Sequence, residues 1–203
     1  MKMAYILIGI VLFGGLIIYL TSCKNKQTSK KADSQTDGDT LKVHKLSENR
    51  YQDLRNMALS VTPEQLQLSQ PAEQTKVFGV IMDWDIGGGI ATFVSFETGD
   101  ASMYLSSGGG VIGGSGHENV INAAKAFVMK AQTYLDKASK IDTTPLPDRN
   151  CVRFYFLTNK GKYSAQENLQ NIENNTSIWL PLFEEGNKVI TELRLTTDKM
   201  QNR

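Results

Sequence analysis

The chain has 203 residues, with 22 Lys and Arg against 21 Asp and Glu, a formal net charge of +1, two cysteines and two histidines. A charge this balanced argues against a nucleic-acid partner, which asks for a basic excess. So few thiols and imidazoles give no disulfide framework and no metal cluster, and nothing in the composition asks for a cofactor.

The chain opens with Met1-Lys2-Met3, then Ala4 to Leu20 without a single charge, then Thr21-Ser22-Cys23. Residues 1–23 read as a signal peptide or membrane anchor outside the fold. Leu20-Thr21-Ser22-Cys23 resembles the lipobox of bacterial lipoproteins. That resemblance implies cleavage before Cys23 and lipidation of its sulfur. The same apolar run is also long enough to stay as an uncleaved transmembrane helix. Lys24, Lys26, Lys30 and Lys31 follow the run and only Lys2 precedes it, so an uncleaved helix would leave the domain in the cytoplasm. Both readings place the protein in the bacterial cell envelope, with the side of the membrane open. Residues 24–40 are nearly all polar and read as a disordered tether, because they cannot bury enough surface to offset their ordering entropy. Residues 41–203 are long enough for one globular domain with its own core.

Ser47 is placed to cap a helix whose Tyr51, Leu54, Ala58 and Val61 share one face. Thr62-Pro63-Glu64-Gln65 has the form of a capping box and starts a second, shorter helix. Val77–Met82, Ala91–Phe96 and Ala101–Leu105 read as strands. The glycine-rich connections between them are too short for a parallel crossover, so they form an antiparallel meander. In the third strand Ala101, Met103 and Leu105 face the core while Ser102, Tyr104 and Ser106 face away. Ser115 and Glu118 have the capping-box spacing, and Val120, Ala124, Phe127, Ala131, Tyr134 and Ala138 form a stripe, which predicts a helix over 117–140. Cys151–Leu157 is a fourth strand with a buried thiol, and Asn159-Lys160-Gly161 turns into Lys162-Tyr163. Ser164 and Glu167 again suggest a cap, for a helix with Leu169 and Ile172. Ile178–Phe183 is broken by Pro181 and reads as an edge or docking segment before a last helix with Val189, Ile190 and Leu193. The expected fold is a two-layer α+β domain with a mainly antiparallel sheet of four or five strands.

The candidate site is the stretch 106–118, whose glycine density marks a place where backbone turns or lets something approach. Gly108-Gly109-Gly110-Val111-Ile112-Gly113 matches G-x-G-x-x-G between a strand and a helix. The next strand lacks the acidic residue that would hold a ribose, which leaves a general anion site at a helix start. Gly108, Gly109, Gly110, Gly113, Gly114, Ser115 and His117 are its candidate ligand-binding residues. Asp83 and Asp85 flank Trp84 on one face of the first strand and would join that rim if Gly87–Gly89 lies beside it. Turn-capping is the simpler role for both. His117-Glu118 lacks the second histidine of a zincin, and Ser115 lacks the second glycine of a nucleophile elbow, so no catalytic residue is assigned.

Asp83-Trp84-Asp85-Ile86-Gly87-Gly88-Gly89, Ser107 to Gly114 and His117-Glu118 together resemble an uncharacterised bacterial membrane-anchored family, which implies no activity. The order of helix, meander, long helix and strand resembles, loosely, profilin- and roadblock-type modules, which act by binding partners. The function expected is a membrane-tethered, non-catalytic binding module with a protein partner, acting through residues 106–118. The alternative is an enzyme or receptor for a small phosphate- or carboxylate-bearing ligand at the same loop, using Asp83, Asp85 and His117.

Overall fold

The structure, a computed structural model, describes residues 39–69, 71, 73–113 and 116–201. The apolar run 4–20, Cys23, Gly114 and Ser115 lie outside them. Among the described residues no helix is long and apolar enough to cross a membrane. The chain divides into two units, Met1–Val43 and His44–Arg203, and the second carries the sheet.

Helix α1 (Asp39–Ser60) leads into β1 (Val77–Asp85), β2 (Ile90–Phe96), β3 (Ala101–Leu105) and β4 (Gly110–Val111). Helix α2 (Glu118–Gln132) and β5 (Ser139–Ile141) follow, then the hairpin β6 (Cys151–Thr158) and β7 (Gly161–Asn168), the short α3 (Leu169–Glu173) and α4 (Leu180–Gln201). One seven-stranded sheet has the order β4-β3-β2-β1-β6-β7-β5, with every neighbour antiparallel. The fold is therefore α+β with an antiparallel sheet, and the β1–β3 meander is present as the short glycine turns require. The sheet is wider than expected because β4, β5 and most of β7 carry little apolar periodicity. Their pairing with neighbours, not their own pattern, makes them strands.

Both faces of the sheet are covered, so the arrangement has three layers and not two. Alternation along β1 puts Val80, Met82 and Trp84 on one face, beneath α2 and α4. Trp84 meets the Phe183 ring edge-on at 5.1 Å, and Trp179 stacks on Phe154 at 5.8 Å. Phe93, Phe127 and Phe154 are fully buried, each stabilising the fold by about 1.5–3 kcal/mol through lost apolar surface. On the other face Tyr51, Ala58 and Leu59 of α1 pack with Phe78, Ile81, Val94, Phe96, Tyr104, Tyr155 and Leu157. Tyr104 is accordingly buried, although a two-layer sheet would have turned it to solvent.

Several local expectations fail for physical reasons. Ser47 lies inside α1 and so does not cap it. Helix α2 stops at Gln132, since the Thr133 hydroxyl and N–H both donate to the Lys130 carbonyl, at 2.8 and 3.0 Å, and tighten the last turn. Beyond it Ser139–Ile141 pairs with β7. His117 occupies the N-cap position of α2 without a side-chain cap bond, which takes that place from Ser115. Ser164 and Glu167 sit in a strand paired with β6; the cap of α3 is Asn168, whose side chain accepts the Gln170 N–H at 2.8 Å. Pro181 stands in the first turn of α4, where its missing N–H costs no helical bond. The Thr62–Gln65 capping box does form, with the Gln65 side-chain Oε1 accepting the Thr62 N–H at 2.9 Å, but it closes a single turn.

Ser95 is completely buried on the α2/α4 face and its hydroxyl meets no hydrogen-bond partner among the described residues. Ser95→Ala should therefore leave stability unchanged or raise it by up to about 1 kcal/mol in urea denaturation, because a desolvated, unmade hydrogen bond is removed. A loss of more than about 1 kcal/mol would show that the hydroxyl has a partner.

Candidate functional site

The α1 face of the sheet carries one row of paired residues, Arg153, Asp83, Thr92, Tyr104 and Gly110, read across β6, β1, β2, β3 and β4. Paired residues point to the same face, so this row links the sheet centre to the glycine hairpin. Asp83 is fully buried and Arg55 from α1 is 3% exposed. Arg55 reaches the Asp83 Oδ2 with Nε at 2.8 Å and Nη2 at 2.6 Å. Thr92 donates its hydroxyl to Asp83 Oδ1 at 2.6 Å. Its proton thus spent, Thr92 accepts from the Tyr51 hydroxyl at 2.9 Å. Arg55 Nη2 also donates to the Thr144 carbonyl at 3.0 Å and Tyr155 donates to the Pro145 carbonyl, which fastens the 142–150 connection to the same cluster.

Electrostatics follow from burial. Desolvation pushes the Asp83 carboxyl upward, against the pull of Arg55 and Thr92. Arg55 loses by desolvation but ends raised, because Asp83 favours its charge. A guanidinium does not deprotonate in a protein, and Asp83 receives donors on both oxygens, Arg55 on one and Thr92 on the other, so the pair stands charged. Burial first, then the Asp83 charge, pushes the Tyr51 and Tyr155 phenols up to about 12. Asp83 is thus a structural anchor with both oxygens engaged and no access for a ligand.

Gly108, Gly109 and Gly110 form a hairpin turn between β3 and β4 and not a cradle at the start of α2. Leu105 N–H donates to the Gly109 carbonyl at 3.1 Å and Gly108 N–H to the Leu105 carbonyl at 2.9 Å. Gly108 and Gly109 have φ of +100° and +85°, conformations that side-chain-bearing residues rarely adopt. A Cβ at Gly110 would run into the Met103 carbonyl and part β4 from β3. Gly113 also has positive φ, at +82°. The two glycine tracts do share one end of the sheet, since Ser106 N–H donates to the Ile90 carbonyl at 2.9 Å and Gly89 lies against the Ser106 hydroxyl.

Between this hairpin and α1 lies a cleft of about 250 Å³. Gly108–Gly110 and Ile112 form one wall, Tyr51 and Leu54 the other, with Tyr104 and Arg50 completing it. Arg50 is exposed, and Ile112 is 67% exposed at the rim. Tyr51 belongs to both the cleft and the Asp83 network, so the buried ion pair positions one wall of the cleft.

The remaining candidates are not drawn into it. Asp85 shares the Asp83 face, but its Oδ1 accepts the Gly87 N–H at 3.1 Å and its Oδ2 the Asn150 N–H at 2.6 Å, the turn-capping role. His117 is half-buried and its carbonyl accepts the Ile121 N–H at 3.0 Å. Gly114 and Ser115 lie outside the described residues. Among the described residues no group of His, Cys, Asp or Glu could hold a metal ion. No protein-family model, curated protein or solved structure matches the chain, so its class is set by the fold: an α+β domain with helices on both faces of an antiparallel sheet.

Arg50, Tyr51, Arg55, Thr92 and Tyr104 escape a reading by motif. One signal was there to use: Arg55 follows Tyr51 by four residues and precedes Ala58 by three, on the apolar face of α1, while Asp83 follows directly on the apolar run Val77–Met82 of β1. Opposite charges on two apolar surfaces announce a buried pair.

Asp83→Ala should destabilise the fold by about 3–5 kcal/mol in urea denaturation, because it leaves Arg55 buried without its counter-charge; a loss below about 1 kcal/mol would contradict the burial of the pair. Tyr51 and Tyr155 keep protons that the unfolded chain releases near its ordinary value of about 10. Their contribution to stability is therefore whole below about pH 10 and declines as pH rises toward about 12. Tyrosinate absorbance should show two late phenols, with stability falling over the same interval.

Proposed function

We propose that the protein is a bacterial, membrane-tethered, non-catalytic binding module, held at the envelope through residues 1–23 and engaging a protein partner at the cleft between α1 and the β3–β4 hairpin. One observation carries this reading: the glycine hairpin walls a cleft with Arg50 exposed at its edge, while Asp83 and Asp85, the carboxylates the alternative would use, are committed to the fold. A volume of about 250 Å³ falls below the roughly 300–1,000 Å³ of small-molecule sites. It suits one or two side chains of a partner. Arg50 would take an acidic group, and Tyr51, Leu54 and Tyr104 an adjacent apolar one; Ile112 at the rim supplies the exposed apolar contact that such interfaces use.

A photo-crosslinking residue in place of Ile112, in the full-length protein in its native membrane, tests the reading. It should yield a discrete protein adduct that Arg50→Glu abolishes, with melting unchanged because Arg50 is exposed. Absence of a discrete adduct, or an adduct indifferent to Arg50→Glu, would exclude this cleft as the contact surface. Loss of the adduct on adding millimolar phosphate or acetate would favour the small-anion receptor instead.

A further inference from the structure

A second cleft, away from the hairpin, lies between α2 and the chain leading into β1, with a volume of about 590 Å³. This size is within the range of small-ligand sites. Lys125, Val128 and Met129 line it from α2, at positions i, i+3 and i+4, so they share one stripe of the helix. Pro71, Lys76 and Glu97 face them. The floor is fixed in place by the Gln132 side chain, whose Oε1 accepts the Val77 N–H at 2.7 Å and whose Nε2 donates to the Thr75 carbonyl at 3.4 Å.

Charge along the cleft is not symmetric. Lys76 is paired with Glu97, and the second Glu97 oxygen is buried with no donor among the described residues, so Lys76 is committed to neutralising that carboxylate. Lys125 is exposed and has no ion-pair partner among the described residues. One turn further along the helix, Met129 is 70% exposed, beside Val128 and opposite Pro71. The cleft thus presents one uncompensated cation next to an apolar surface, on a preformed frame.

We propose that this cleft binds a small amphipathic carboxylate, its anionic head on the Lys125 ammonium and its apolar body along Val128, Met129 and Pro71. Lys125 supplies the charge selectivity and the methionine a surface that adapts to the shape of the apolar body. An amphipathic amine would meet the unpaired cation and be rejected. A carboxylate without an apolar part would find only one surface ammonium, which is too weak to hold it. The site is independent of the hairpin cleft, and neither depends on the other being occupied.

The test uses the full-length protein in lipid nanodiscs, carrying carbon-13 methyl-labelled methionine, titrated with hexanoate, hexylamine and acetate. Hexanoate should move the Met129 methyl resonance saturably and leave that of Met57, on α1, in place. Hexylamine and acetate should not produce a saturable shift. Lys125→Glu, a surface change that leaves the fold intact, should weaken hexanoate binding at least about fivefold, whereas Arg50→Glu should have no effect on it. A hexylamine shift equal to that of hexanoate, an acetate shift equal to it, unchanged affinity in Lys125→Glu, or no saturable shift at Met129 would each overturn the proposal.

Discussion

The fold depends on one buried charge pair. Arg55 and Asp83 hold α1 against the centre of the sheet, and both partners are further bonded: Thr92 with Arg55 Nε and Nη2 on the carboxylate, backbone carbonyls and Tyr155 on Nη2. An apolar pair of the same volume would serve stability as well or better, because the desolvation of two charges roughly cancels their attraction. What the charges add is a defined place. A helix packed on a sheet only through Ala58 and Leu59 could slide or rotate with little penalty, whereas Arg55 has one carboxylate to meet and Tyr51 one hydroxyl.

That fixed place reaches the surface. Tyr51 is bonded to Thr92 at one end of its ring and lines the hairpin cleft with its flank, and Tyr104, two strands from Asp83, supplies the cleft floor. The hairpin opposite is held by its own geometry, with positive φ at Gly108 and Gly109 and no room for a side chain at Gly110. A binding surface needs walls that do not move when a partner arrives, since ordering them at that moment would cost affinity. Here both walls are set by the fold before any partner is present.

Sequence made most of the architecture legible where local chemistry and tertiary demand coincide. The β1–β3 meander and the Asn159–Gly161 turn follow from short glycine connections and apolar runs, and the structure contains both. Legibility failed where partners decide. Ser164–Asn168 has a respectable helix start but lies alongside Cys151–Tyr155, and strand pairing outweighs the cap. Tyr104 looks outward in the pattern of β3 only if nothing covers the second face, and the covering helix is 44 residues or more away in sequence. The site shows the same division. The glycine stretch was visible as a place, yet Arg50 joins it only through the docking of α1, and Asp83 looks like available chemistry until Arg55 is seen to occupy it.

A double-mutant cycle on Arg55→Met and Asp83→Leu, measured by urea denaturation, tests the dependence of the fold on this pair most directly. Each single change should be strongly destabilising while the double change recovers much of the loss, giving a coupling of at least about 2 kcal/mol. If the two effects add to within about 0.5 kcal/mol, α1 is not held by Arg55 and Asp83, and the wall of the cleft must be positioned by something else.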